Sequence, residues 1–242
     1  MSAQQVIPIN QILVQNLVKK YHTHPVLDHL SISIASGDLC ILVGDNGVGK
    51  TTLLRILAGL VRPDGGKIQI GEHTANDEPQ SRRQIGYVGH QPMVYQDLTG
   101  VENLMHYARL YRVTDWEKMV SEAIHFAGLE KYKHQRLRTY SRGMQQRLSI
   151  ARALLHDPDV LLLDEPYTGL DKDAAQFLDR RLGDLQHQGK TIFLAAHHPH
   201  RLLSFASHVA WLKDGVIAEH IPIPTLTLTQ HLDLAAYLQE TV

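Results

Sequence analysis

The chain has 242 residues, 43% of them hydrophobic, with 24 Lys and Arg against 25 Asp and Glu and a formal net charge of −1. That length supports one α/β domain with room for an inserted subdomain, and near-neutrality excludes a global attraction for nucleic acid or acidic lipid. One cysteine, Cys40, excludes an internal disulfide. No apolar run reaches the ~18 residues of a membrane span, so service to a membrane is expected from its outside, in a reducing cytoplasmic setting.

Residues 1–10 lack the basic-then-apolar order of a secretory leader. From 12 to 34, apolar and polar positions alternate around a turn-like centre at His22 to Pro25, the pattern of short strands in a half-exposed sheet. Tyr21 is here either an exposed strand aromatic or a ring that stacks on a base, and its chemistry leaves both open. Residues 39–43, Leu-Cys-Ile-Leu-Val, are apolar throughout, with Cys40 as a small buried hydrophobe.

That strand runs into Gly44-Asp45-Asn46-Gly47-Val48-Gly49-Lys50-Thr51-Thr52, and residues 53–58 follow with helical spacing. Strand, glycine-rich loop and helix is the setting in which G-x-x-x-x-G-K-[ST] forms a phosphate-binding loop. The glycines let successive backbone N–H groups turn toward an anion, and the helix start adds unpaired donors and a positive dipole end. Lys50 would reach the β- and γ-phosphates and the Thr51 hydroxyl would ligate Mg²⁺. A glycine turn beside a surface lysine is the alternative, and the flanking strand and helix argue against it. Nucleoside triphosphate binding is the expectation.

Arg62-Pro63-Asp64-Gly65-Gly66 is a tight turn into a strand at 67–70, and 85–88 is a further strand ending at Gly89-His90-Gln91-Pro92. Between 99 and 155 apolar residues recur at three and four. This predicts helices over 103–111, 116–128 and 144–155 with no strand between them, a helical block inserted into the α/β chain. Residues 160–163 are continuously apolar and end in Asp164-Glu165-Pro166, as expected of a strand buried on both faces. A helix over 172–186 closed by Gly189, a buried strand at 191–196 and a hairpin around Asp214-Gly215 follow. The tail beyond 221 is ambiguous.

Ligands of parallel α/β sheets bind beyond the carboxyl ends of the strands. Asp164 suits direct or water-mediated Mg²⁺ coordination, and Glu165 suits orientation of an attacking water. Either acid could instead cap the turn that follows.

With these motifs in order, the chain resembles an ATP-binding-cassette ATPase over at least residues 12–219. Tyr140-Ser141-Arg142-Gly143-Met144-Gln145-Gln146-Arg147 resembles the signature LSGGQ-x-x-R, with Arg142 and Met144 as departures. The resemblance implies an α/β fold: a P-loop NTPase (RecA-like) core with an antiparallel β subdomain and an inserted α-helical subdomain at about 92–155. It implies one nucleotide-binding domain over 1–220 and a tail over 221–242. Tyr21 then matches the adenine-stacking aromatic, and the phosphate loop, Gly44 through Thr52, holds ATP. Gln91 matches the glutamine that joins nucleotide, Mg²⁺ and membrane partner; Thr51 and Asp164 complete the Mg²⁺ set. Thr168-Gly169-Leu170-Asp171 matches the loop that crosses the dimer interface through Asp171. His197 matches the switch histidine that senses the γ-phosphate, with Glu165 and Gln91 the other catalytic residues. Two chains would pair head to tail around two ATP molecules, Ser141 and Gly143 of one chain contacting ATP held by the other.

Sixteen histidines, with His197-His198-Pro199-His200 clustered, invite a metal reading, but the cluster falls at the switch position. A single compact cassette favours the ATPase of an exporter with integral membrane permease subunits, peripheral on the cytoplasmic face of the membrane and binding no nucleic acid. The alternative class is a soluble cassette ATPase acting on macromolecules. Gly89-His90-Gln91-Pro92, Leu98-Thr99 and Glu102-Asn103-Leu104 resemble the ATPase of the haem exporter of cytochrome c maturation, though exporters of drugs, polysaccharides and lipids share much of that stretch.

Overall fold

The structure is a computed structural model that describes residues 12–74, 82–196, 202–203 and 206–223. The expectations for His197, His198, Pro199, His200 and most of the tail lie outside those residues.

Two sheets are layered. The first is antiparallel, in the order β2-β1-β4-β5, from β1 (Ile12–Tyr21), β2 (His24–Ile34), β4 (Gly65–Ile70) and β5 (His73–Thr74). The second has the order β10-β9-β3-β8-β7-β6, from β3 (Leu39–Val43), β6 (Ile85–Val88), β7 (Val160–Asp164), β8 (Thr191–Ala195), β9 (His208–Lys213) and β10 (Val216–Pro222). All its pairings are parallel except the terminal β9–β10 hairpin.

Every residue of β3, β7 and β8 is buried. Alternation then divides their side chains between two cores. Cys40, Leu42, Val160, Leu162, Phe193 and Ala195 face the core shared with the antiparallel sheet and α1 (Lys50–Leu57). Leu39, Ile41, Val43, Leu161, Leu163, Ile192 and Leu194 face the opposite core, shared with α4 (Arg142–Leu154) and α5 (Lys172–His187). A third core joins α4 to α2 (Gly100–Leu110) and α3 (Trp116–Ala127) through Leu104, Ala108, Val120, Ile124, Leu137 and Leu148. The expected helical block is thus a separate packing unit hung on the sheet through α4.

Local chemistry sets the helix starts. Thr99 and Glu102 form a reciprocal capping box on α2, Ser141 caps α4 and Asp171 caps α5. Three boundaries differ from expectation. The first hairpin turns at His22–Thr23, so Pro25 lies inside β2 opposite Lys20. β2 is an edge strand, where proline is tolerated. α2 and α4 begin earlier than the apolar spacing indicates, at their caps.

Candidate functional site

A cavity of about 360 Å³ lies beyond the carboxyl ends of the parallel strands, lined by Asn46, Gly47, Gly49, Lys50, Thr51, Thr52, His90, Glu165 and Thr168. A larger cavity, about 690 Å³, lies in the helical block against Val101, Met105, Trp116, Val120, Ile124 and Phe126. Its wall is mainly apolar, whereas the smaller one gathers Lys50, three threonine hydroxyls and Glu165, chemistry suited to a phosphate.

The loop after β3 curls because Gly44 has φ +152°, and any Cβ there would collide with the Leu212 carbonyl of β9. Val48 N–H closes the turn on the Asp45 carbonyl at 3.3 Å. α1 then starts from Gly49 with no side-chain cap, so its first N–H groups are left to an incoming ligand. Lys50 is buried, and its Nζ donates to the carbonyls of Gly44 at 2.6 Å and Asp45 at 3.1 Å. Burial lowers its pKa, opposed by the charges of Glu165, Asp164 and Asp45. The ammonium is held inside its own loop, facing the cavity.

Opposite stands the end of β7. Asp164 has no exposed surface and accepts a hydrogen bond from Thr51 Oγ1 at 3.0 Å through Oδ1. Burial raises its pKa; the Thr51 bond and the nearby charges of Arg55, His90 and Lys50 oppose the rise. Its Oδ2 is buried and has no hydrogen-bond partner among the described residues. An orphaned carboxylate oxygen beside a hydroxyl is a hard-oxygen donor set with spare capacity, which fits Mg²⁺. Glu165 follows with φ +53°, an uncommon conformation for a residue with a side chain. Its N–H donates to the Ala195 carbonyl of β8 at 3.0 Å, and its carbonyl accepts from Thr168 N–H at 3.1 Å. The turn so formed carries Thr168 back to the cavity wall.

The structure therefore brings together the phosphate loop, Lys50, Thr51, Asp164 and Glu165. It adds His90 and Thr168, to which the sequence reading gave no role at the cavity. For His90 the only signal was its place two residues beyond the end of β6, a strand in parallel register with β7 up to Val88↔Leu163. Gln91 is exposed and does not line this cavity. Tyr21 is 47% exposed at the end of β1, with Lys19 Nζ 5.3 Å from its ring centre, and is also absent from the lining. Ser141, Gly143 and Asp171 are not among the residues that line the cavity of their own chain. Cys40 is buried below the loop, and burial, with Asp38 adding to it, pushes its thiol pKa far up.

The family described as ABC transporter matches residues 27–168. Bacitracin transport ATP-binding protein BcrA of Bacillus licheniformis is 35% identical over 217 residues, 89% of this chain and 71% of that protein. Nod factor export ATP-binding protein I of Cupriavidus metallidurans is 36% identical over 213 residues, 86% of this chain and 70% of that one. Among solved structures, the dimeric post-hydrolysis state of the ATP-binding cassette MJ0796 bound to ADP and Pi superposes with a TM-score of 0.80 at 28% identity, covering 88% of this chain and 98% of the other. An ATP-binding subunit of an ABC transporter superposes with a TM-score of 0.83 at 26% identity, covering 94% and 99%.

Proposed function

The chain belongs to the ABC transporter family, and from that premise we propose that it is the ATP-hydrolysing subunit of an exporter, driving a membrane-spanning partner. The observation that carries this is the link from Thr51 of the phosphate loop to the buried Asp164 at the end of β7. It joins an anion cradle to a cation-binding carboxylate in one cavity.

Each side chain has a separable task. Lys50 and the uncapped start of α1 bind the terminal phosphates electrostatically. Thr51 and Asp164 would hold Mg²⁺, which neutralises charge as the phosphate is transferred. Glu165, pinned to β8 through its backbone, accepts a hydrogen bond from the attacking water and sets its line of approach. Gln91 and His197 keep the roles of nucleotide-to-partner link and γ-phosphate sensor. Ser141 and Gly143 reach the ATP of a second chain, with Asp171 at the interface between chains. The solved relative's dimeric form with ADP and Pi supports that arrangement.

Docking to the partner is assigned to the stretch after Gln91. Met93 and Tyr95 are 40% and 51% exposed, whereas Val94 packs into the helical core. Tyr95 stands edge-on to His106 at 5.1 Å, and Tyr107 beneath donates to the Met93 carbonyl at 2.7 Å, so the outward residues rest on a braced base. Such a surface supports a peripheral position at the membrane, on the side where ATP is supplied.

For the cargo, the relatives named for bacitracin transport and Nod factor export favour a general exporter. Haem export for cytochrome c maturation is the second reading and rests on the stretch from Gly89 to Leu104. The purified chain should hydrolyse Mg-ATP, and it should follow the membrane fraction only when its partner is co-expressed. Tyr95→Asp should release it from the membrane with ATP binding intact. A deletion strain with ordinary c-type cytochromes would dismiss haem export and leave the general exporter; absence of ATPase activity in the pure protein and in its membrane complex would dismiss both.

A further inference from the structure

Arg142 is the first residue of α4, between Ser141 and Gly143. A cation there meets the positive end of the helix dipole, and the first turn of α4 contains no acidic residue to offset it. Its side chain turns instead toward the loop after β7. A Cβ built on Gly169 would lie 2.6 Å from Arg142 Cδ, 2.7 Å from Nε and 3.0 Å from Cζ, so the arginine lies across the bare α-carbon of Gly169. Gly169 has φ +74°, which glycine adopts at no cost. Only glycine satisfies both the backbone angle and the arginine above it.

The loop beneath Arg142 is braced along its length. It leaves Glu165, whose carbonyl accepts from Thr168 N–H at 3.1 Å, and continues with Leu170 N–H donating to the Tyr167 carbonyl at 3.1 Å. The Tyr167 hydroxyl donates to Asp179 Oδ1 of α5 at 2.8 Å. It ends at Asp171, whose Oδ1 accepts from Ala174 N–H at 2.8 Å and caps α5. Next to Arg142, a Cβ on Gly143 would stand 3.4 Å from Ala174 Cβ and 3.8 Å from Leu170 Cδ2. The start of α4 therefore already touches the far end of this loop, and Arg142 covers its middle.

We infer that Arg142 is a positioning residue that fastens the loop carrying Glu165 and Thr168 to the Ser141–Gly143 turn. This rests on the proposed function, in which Ser141 and Gly143 face the nucleotide of the second chain while Glu165 and Thr168 face the chain's own. Arg142 then connects the two nucleotide sites mechanically. Seating the turn on one ATP sets the carboxylate that acts on the other, and hydrolysis at the two sites becomes coupled.

The test is a double-mutant cycle on the purified chain, read by steady-state ATPase kinetics, nucleotide affinity and thermal unfolding. Arg142→Gly should lower kcat about tenfold while the Kd for ATP moves less than about twofold. Its Hill coefficient in ATP should fall toward 1 from a wild-type value between 1 and the two sites of the dimer. A merely structural role would lower the unfolding midpoint and leave the Hill coefficient where it was. Gly169→Ala should also lower kcat in the wild-type background, by forcing Arg142 aside. In the Arg142→Gly background the same change should cost at least about threefold less, because the collision is gone. Wild-type kcat and cooperativity in Arg142→Gly, or strictly additive effects in the cycle, overturn the inference alone. A wild-type protein without Lys50-dependent ATPase activity, both alone and in its membrane complex, overturns the proposed function and the inference with it.

Discussion

The starts of α1 and α4 are finished in opposite ways. α1 begins at Gly49 with no side chain over its first turn, directly behind a loop whose lysine is buried. α4 begins at Ser141, whose hydroxyl accepts from Met144 N–H at 3.2 Å and satisfies the helix within its own chain. An uncapped start keeps its donors for an anion and is a strong site alone; a capped start must exchange a bond it already has and contributes weakly until a ligand arrives on a second surface. One chain thus carries a helix start left open and one closed by its own side chain.

The largest effect should come from removing the cation that sets the first region apart. Lys50→Ala should weaken ATP binding at least about a hundredfold, since a desolvated ammonium facing polyphosphate has no substitute nearby. Equilibrium binding of a fluorescent ATP analogue checks this, and near wild-type affinity would erase the distinction between the two helix starts.

Glu165→Gln should retain ATP affinity and lose about a hundredfold or more in kcat, because the carboxylate acts only as charge develops. Unhydrolysed ATP should then hold two chains together. Size-exclusion chromatography of this variant should show a dimer with Mg-ATP and a monomer without it; a monomer at saturating nucleotide would leave the α4 start with no ligand to await.

Ser141→Ala sharpens the comparison. As a cap alone, the hydroxyl contributes about 1 kcal/mol of stability and nothing more. As a phosphate contact, its loss in the Glu165→Gln background should raise the ATP concentration needed for dimerisation about tenfold, at unchanged affinity of the single chain.

The smallest effect concerns stability. Burial raises the Asp164 pKa, so the folded state disfavours the carboxylate and stability falls as pH rises from the ordinary aspartate range through that raised value. Without nucleotide or metal, Asp164→Asn should unfold a few degrees higher at pH 7, about 1 kcal/mol, with the gain shrinking toward pH 4, while ATPase activity is lost. A destabilised variant would mean that the carboxylate is already compensated by groups in the fold.

Much of this arrangement was legible in the residue order. The phosphate loop was readable because its glycine spacing and flanking periodicities are local, and β3, β7 and β8 because strands buried on both faces are apolar without interruption. The cap of α4 was hidden, since Ser141 precedes the first apolar position by several residues. His90 was hidden for another reason: its approach to Asp164 follows from the pairing of β6 with β7, which are more than 70 residues apart in the chain. The packing of Arg142 over Gly169 likewise needs a helix start and a distant loop to meet, and no local pattern announces it. What sequence spacing loses is contact between strand ends, and active sites of parallel sheets are assembled there.

The burial of Cys40 also has a practical consequence. It is the only cysteine of the chain, it has no exposed surface, and its thiol is held far from ionisation. Toward maleimides and disulfide reagents the native protein is therefore chemically silent. A cysteine introduced at an exposed position outside the nucleotide site, such as Lys118, would be the sole reactive thiol. Fluorophores or spin labels could be placed on it one per chain, without first stripping the background, and the distance between two such labels would follow the approach of two chains as ATP binds.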